Sequence, residues 1–387
     1  MRRRRALSRG ALVGSLLVLF AATALADGPT EEEALAWAKK VEGALGVRAG
    51  GVLDNSIDRD AIAARAFDGL PVKDETKARF LTAMKSGRGY GTTLALSLGK
   101  KGSCKFLRIV KRGTSLAAVF RVLPEAGGFN YDEFLLGKTA NGETCVVDAL
   151  AYATGLRLST QAREAAIAAA VAEDKTVADR LEGAEAELAR HMADLTTLTR
   201  QNGEKKWAEA LDTYKRLPEV LRKSHMVLLR ALLPAREAGK AEHEALLDEI
   251  EKSSGDDPTL ALVLHDHALL EKAWTRALAH LDAVDKAIGG DIYLEAERGE
   301  IHAGEGDLAA AKTSARKALD AEPDLKKGHW VLAVVANRSK DWAGLRSELE
   351  TLEKLGVKLN DLSNVPAYAD FVKTDEYRAW RKGHDSK

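Results

Sequence analysis

A recurring spacing near 34 residues limits what this chain can fold into. The segments Trp207-Ala-Glu-Ala-Leu211, Trp274-Thr-Arg-Ala-Leu278, Leu308-Ala-Ala-Ala311 and Trp342-Ala-Gly-Leu345 superimpose, and a weaker copy, Glu242-His-Glu-Ala-Leu246, follows the first. The matched positions Ala210, Ala245, Ala277, Ala311 and Leu345 lie 35, 32, 34 and 34 residues apart. A unit of that length holds two helices and two turns, and it buries its apolar stripe only by stacking on its neighbours. From about Thr160 onward the chain is rich in Ala, Leu, Glu, Lys and Arg and poor in strand-forming runs.

One copy shows why these residue types recur. Between Tyr293 and Pro323, Gly299 lies where two helices must approach closely, and Gly306-Asp307 makes the turn, with Asp307 placed to cap the next helix. Leu308, Ala311, Ala315 and Ala318 then form one apolar stripe, and Pro323 stops the helix. These residues fall on the glycine, alanine and proline positions of the tetratricopeptide family, which the chain resembles over roughly residues 186–356. The resemblance implies an all-α helical-repeat solenoid of about five hairpins whose concave face holds a partner protein or peptide. Its signature positions, structural rather than catalytic, are Trp207, Ala210, Ala245, Trp274, Ala277, Gly299, Gly306, Ala311, Ala318, Pro323 and Trp342. Two departures stand out. His265 occupies a close-approach position, which predicts a splayed hairpin, and Pro234 predicts a kink or break in a first helix. Residues 357–387, with Trp380, read as a cap on the open end.

Upstream the pattern changes to α+β. Glu31–Leu45 reads as an amphipathic helix with Leu35, Ala38, Val41 and Leu45 on one face. Asp58 can cap a second helix, and a third spans about Asp74 to Met84. Gly87, Gly89 and Gly91 argue against helix there. Four strands follow, Cys104–Lys111, Leu116–Leu123, Phe129–Gly137 and Thr144–Tyr152, with turn signals at Gly113 and Asn141-Gly142 that predict an antiparallel meander. The domain reading is 27–158 for this unit, 159–185 for linker helices and 186–356 for the repeats. Helices before a four-strand meander resemble the cystatin-like cone of nuclear-transport-factor-like domains, which implies room for an apolar small molecule.

Candidate chemistry is sparse. Gly87-Arg-Gly89-Tyr-Gly91 lacks the Gly-Lys-Ser/Thr ending of a phosphate loop. His265-Asp266-His267 has the wrong spacing for a helical metal pair, so no metal or cofactor is expected. Tyr131, Asp132, Glu133, Asp148 and Tyr152 could face a cavity, but alternation should turn at least one of Asp132 and Glu133 to solvent. No catalytic role is expected. Cys104 and Cys145 could bridge in an oxidising compartment, yet in a meander they stand on the first and fourth strands, which favours unbridged thiols.

The N-terminus bears on location. Arg2 to Arg5 and Arg9 precede an apolar run from Ala11 to Leu25 that ends in Ala24-Leu25-Ala26. This is the pattern of a signal peptide cleaved between Ala26 and Asp27, placing the rest in the periplasm or outside the cell. The paired arginines leave the export route open between general secretion and a twin-arginine path. The chain carries 58 basic and 58 acidic residues, and removing residues 1–26 takes five Arg and leaves 53 against 58. That slight acidity offers no general attraction for nucleic acid. The reading is an exported, non-enzymatic adaptor that holds another protein, with a carrier of an apolar ligand as the alternative.

Overall fold

The computed structural model describes residues 28–254 and 257–384. The first helix, α1 (Glu31–Gly46), begins in a capping box: the Thr30 hydroxyl accepts from the Glu33 amide at 3.2 Å, and Glu33 accepts from the Thr30 amide at 2.8 Å. Its buried stripe is Ala34, Trp37, Ala38, Val41 and Leu45. Leu35 lies outside that stripe and is 38% exposed, because the stripe is centred on Trp37. Three helices follow, α2 (Gly51–Ser56), α3 (Arg59–Ala66) and α4 (Asp74–Ser86), with Asp58 capping α3 through the Ala61 amide at 2.9 Å.

The glycine cluster does not prevent helix: α5 (Tyr90–Leu98) starts there, with Gly89 as its N-cap. Gly91 lets α5 touch α2, since a Cβ on it would stand 2.3 Å from the Gly50 carbonyl oxygen. The helix N-terminus is filled by the chain's own carboxylate. Asp54 accepts from the Gly91 amide at 2.7 Å and from the Thr92 amide and hydroxyl at 3.0 and 2.6 Å.

The sheet has five strands in sequential antiparallel order, not four: β1 (Ser103–Arg112), β2 (Ser115–Leu123), β3 (Asn130–Lys138), β4 (Thr144–Ala151) and β5 (Leu156–Arg157). The extra strand arises because the chain turns at Gly155 (φ +61°), and Leu156 and Arg157 pair back with Ala151 and Leu150. One face of the sheet lies under α1, where Trp37, Phe120 and Phe134 meet edge-on with centroids 5.5–6.3 Å apart. Helix α6 (Leu158–Glu173), in the stretch read as linker, adds Ala162, Ala166 and Ile167 to this core.

The rest of the described chain is helical: α7 (Gly183–Arg190), α8 (Met192–Gly203), α9 (Trp207–Arg216), α10 (Glu219–Arg222), α11 (His225–Ala238), α12 (Lys240–Ser254), α13 (Ala261–Leu270), α14 (Trp274–Ile288), α15 (Tyr293–Glu305), α16 (Leu308–Ala321), α17 (Lys326–Arg338), α18 (Trp342–Lys354) and α19 (Asp375–His384). Helices pair as α8/α9, α11/α12, α13/α14, α15/α16 and α17/α18. Each hairpin turns on one residue with positive φ: Lys205 (58°), Gly239 (153°), Lys272 (56°), Gly306 (101°) and Lys340 (59°). In the three lysine turns the next amide reaches back five residues, as from Ala273 to the Ala268 carbonyl at 2.8 Å, which closes the helix end.

The fourth residue of each second helix enters the seam at Ala210, Ala277, Ala311 and Leu345, all with 0% exposure. In α12 that position is His243, whereas Ala245 is exposed. The weak copy was therefore aligned two residues late, and the intervals become 33, 34, 34 and 34. Opposite Ala311, a Cβ on Gly299 would stand 3.2 Å from its carbonyl oxygen. Neither predicted departure disturbs the stack. His265 is fully buried and its Nδ1 lies 3.2 Å from the Ala277 carbonyl oxygen, so the α13/α14 hairpin stays closed. Pro234 lies within an uninterrupted α11, and the Arg230 carbonyl that its missing N–H cannot reach accepts from the Asn202 side chain at 2.8 Å. At the far end Trp380 and Phe371 pack on Leu345 and Leu349 and cover the last hairpin.

Candidate functional site

The solenoid bends back onto the sheet. Val119, Tyr131, Leu150 and Tyr152, on the face away from α1, pack on Leu262, Leu281, Val284, Ile288 and Leu294 of α13, α14 and α15. Both faces of the sheet are thus covered, and β2 is buried without a break from Ala117 to Val122. Polar pins fix the contact. Arg121, 4% exposed, donates to Asp291 at 2.9 Å and to Glu322 at 2.6 Å and lies over the Tyr293 ring at 5.3 Å. The Tyr131 hydroxyl donates to the other oxygen of Asp291 at 2.8 Å. Lys105 reaches Glu322 at 2.7 Å, and Arg108 donates to the carbonyls of Gly289 and Gly290.

This double burial corrects the expectation for the strand carboxylates. Asp132 and Glu133 are each 1% exposed, on opposite faces. Glu133 faces the solenoid, where Arg112 donates to it at 2.7 and 2.9 Å and the Tyr152 hydroxyl lies at 3.4 Å. Asp132 faces α5, and burial pushes its carboxyl up to about 7 against the hydrogen bonds from Tyr90 and Asn130. Pointing apart, the two acids cannot act on one substrate. Asp148 holds the start of α6 through the Ser159 amide and hydroxyl at 3.0 and 2.6 Å.

The cysteines are both buried and unbridged. Two strands separate Cys104 from Cys145, at least about 14 Å sideways at the usual strand spacing, and the register sets them at opposite ends of the strands, well beyond the span of a disulfide. Burial pushes the Cys145 thiol up to about 11. Among the described residues no group of His, Cys, Asp or Glu is arranged to hold a metal ion. Within His265-Asp266-His267, the two rings are buried and Asp266 is exposed.

Where the sheet meets the repeats, a groove of about 1120 Å³ remains open. One wall is formed by the first helices of three successive hairpins, with Leu262, Val263, Asp266 and Leu269 of α13, Tyr293, Glu297 and Glu300 of α15, and Lys326, Lys327 and Trp330 of α17. The other wall is Lys101, Gly102, Ser103, Lys105, Arg121 and the β2–β3 turn through Phe129. On the floor Lys327 bridges Glu297 at 3.1 Å and Glu300 at 2.5 Å. Burial pushes the Glu297 carboxyl up, and Lys327 opposes it. Burial also works against the Lys327 ammonium, but the two carboxylates outweigh it and hold its pKa above the ordinary value. The groove thus joins an apolar shelf to fixed charges on rigid helices, a combination that suits a polypeptide with both kinds of side chain.

Sequence reasoning named Pro323 from this wall only as a helix stop and missed Arg121, Phe129, Asp291, Glu297 and Lys327. One signal was available: Arg121 interrupts the otherwise apolar run from Leu116 to Leu123. The expected signal peptide and the cleavage predicted between Ala26 and Asp27 fall on residues outside those described. Among the described residues no helix is long and apolar enough to cross a membrane.

No protein-family model matches the chain, and no curated protein matches it. Among solved structures, a MamA RS-1 double mutant is 19% identical, covers 43% of this chain and 93% of its own, and has a TM-score of 0.36. MamA residues 41 to the end from Desulfovibrio magneticus RS-1 give 19%, 43%, 92% and 0.35, and MamA MSR-1 gives 17%, 43%, 95% and 0.33. At such scores the likeness carries no argument, and the helical-repeat assignment stands on the paired hairpins, their positive-φ turns and their register near 34 residues.

Proposed function

We propose that this chain is a non-enzymatic interaction scaffold, exported from the cytoplasm, that holds a segment of another protein in the groove between sheet and solenoid. The observation that carries this reading is the groove itself, where apolar positions on α13 and α17 stand beside the Glu297–Lys327–Glu300 cluster on the first helices of three successive hairpins. Stacked hairpins offer such surfaces on rigid supports, so little ordering is needed when a peptide docks. Export is supported by the pattern of residues 1–26. No cofactor is proposed.

The test compares affinity capture from the source cell by the full chain and by two variants. Lys326→Glu with Lys358→Glu reverses charge at the groove rim, whereas Lys312→Ala alters an exposed position on the second helix of its hairpin. The expected result is a polypeptide retained by wild type and Lys312→Ala and lost from the double variant. Equal retention by all three overturns the groove as the docking site.

A further inference from the structure

Part of the groove is already filled. The β2–β3 turn enters from the sheet side and sets Phe129 among three rings, with centroids 5.3 Å from Tyr293, 6.0 Å from Tyr131 and 6.2 Å from His265. Gly127 and Gly128 precede it with φ of 98° and 75°, and nothing lies within 4 Å of where their Cβ atoms would stand. The turn tip is therefore held by few contacts, and two glycines give it freedom to swing.

The His265 ring beside Phe129 carries an unmet acceptor. His265 is fully buried, and its Nδ1 faces the Ala277 carbonyl oxygen at 3.2 Å, so that nitrogen carries the proton. Nε2 is then a bare acceptor, shut off from solvent and without a partner among the described residues. Burial lowers the ring's pKa and keeps it neutral. Asp266 on its own helix, Glu300 of α15 and Lys327 of α17 are the charged groups that face it, and none hydrogen-bonds to Nε2. A phenyl ring has no donor to offer, and a buried acceptor left unmet is costly. Trp and Tyr would fill the same aromatic niche and bring an N–H or O–H.

Resting on the groove reading above, we infer that the β2–β3 turn is a resident plug, and that a partner displaces Phe129 with a tryptophan or tyrosine that donates to Nε2 of His265. The aromatic niche then sets which segment the groove selects, and the glycine pair lets the plug leave without unfolding the sheet.

The probes are two synthetic nine-residue peptides, one copying residues 123–131 and one carrying Phe129→Trp, titrated into the full-length protein by fluorescence anisotropy. Phe129→Ala protein should bind both at least tenfold more tightly than wild type does, with the tryptophan peptide tenfold ahead of the copy. Adding His265→Leu should erase that second factor. Wild type and Phe129→Ala binding within twofold of each other overturns the plug, and a tryptophan preference that survives His265→Leu overturns the acceptor. Should Phe129→Ala fail to fold, Phe129→Trp in the full chain should raise the melting temperature by roughly 2 °C, and not in the His265→Leu background. No rise overturns the proposal. Peptides that bind no variant, together with partner capture that still depends on the groove rim, sink the plug alone. Capture that ignores the rim removes both readings.

Discussion

Asp291→Ala should be among the most damaging single substitutions in this chain. Asp291 is 8% exposed and accepts from Arg121 at 2.9 Å and from the Tyr131 hydroxyl at 2.8 Å. Removing it leaves a buried guanidinium with one carboxylate instead of two, and a buried hydroxyl with none. Breaking a buried ion pair costs about 3–5 kcal/mol, and an orphaned hydroxyl costs about 1–3 kcal/mol. The two penalties share one network and do not simply add. Glu322 still holds Arg121 at 2.6 Å, which places the total near the lower end, about 3–4 kcal/mol. Urea unfolding at pH 7 measures it, followed both by far-ultraviolet circular dichroism for the helices and by tryptophan fluorescence. Because Val119, Tyr131 and Leu150 share a core with Leu281 and Val284, both signals should fall in one transition in wild type. A loss below 1 kcal/mol, or separate transitions in wild type, would refute the claim that the sheet and the solenoid form one cooperative unit.

Three further outcomes are expected. Lys205, Lys272 and Lys340 hold left-handed conformations that cost an L-residue about 1–2 kcal/mol, so each change to Gly should stabilise by about 0.5–1 kcal/mol after glycine's entropic cost. Thermal melts of the single and triple variants test this, and a uniform loss would disprove the turn geometry. Asp132 has a folded-state pKa near 7, above its unfolded value, so the folded protein binds the extra proton between roughly pH 4 and 7 and its contribution is lost as pH rises through that window. Asp132→Asn should gain stability over wild type at pH 8 relative to pH 4, and an equal difference at both would show that the carboxyl titrates normally. Ala311→Leu should cost about 1–3 kcal/mol by overpacking a fully buried seam, whereas exposed Lys312→Ala should change stability by less than about 0.5 kcal/mol. Calorimetry of the two variants decides it, and the reverse order would mean that the helix faces are misassigned.

The repeats were legible because the hairpins solve the same packing problem, and three of the five leave an alanine at the same place, Ala210, Ala277 and Ala311. The Gly306-Asp307 turn was readable for its chemistry. The turns at Lys205, Lys272 and Lys340 were not, since lysine carries no signal for positive φ. Ala245 misled because Glu-Ala-Leu mimics the other copies, while the true register is set by where α12 begins after Gly239. Pro234 and His265 each broke a local rule and were rescued by a distant partner, the Asn202 amide in one case and the Ala277 carbonyl in the other. The strands followed from turn signals, but the fate of Glu133 did not. Alternation describes a sheet with one wet face, and here the second face is dried by helices that begin only at Ala261, far beyond the last strand.

The pins from Arg121 and Lys105 have a mechanical consequence. A free stack of hairpins is a spring whose every joint flexes a little. Here Asp291 and Glu322, at the two ends of the α15/α16 hairpin, are bolted to a twisted sheet. Curvature is frozen at that hairpin, and compliance is left to what lies beyond it. A load gripping α17 and α18 would then turn them as a lever about a fulcrum at Glu322, and the jaw of the groove would open or shut with the direction of the pull.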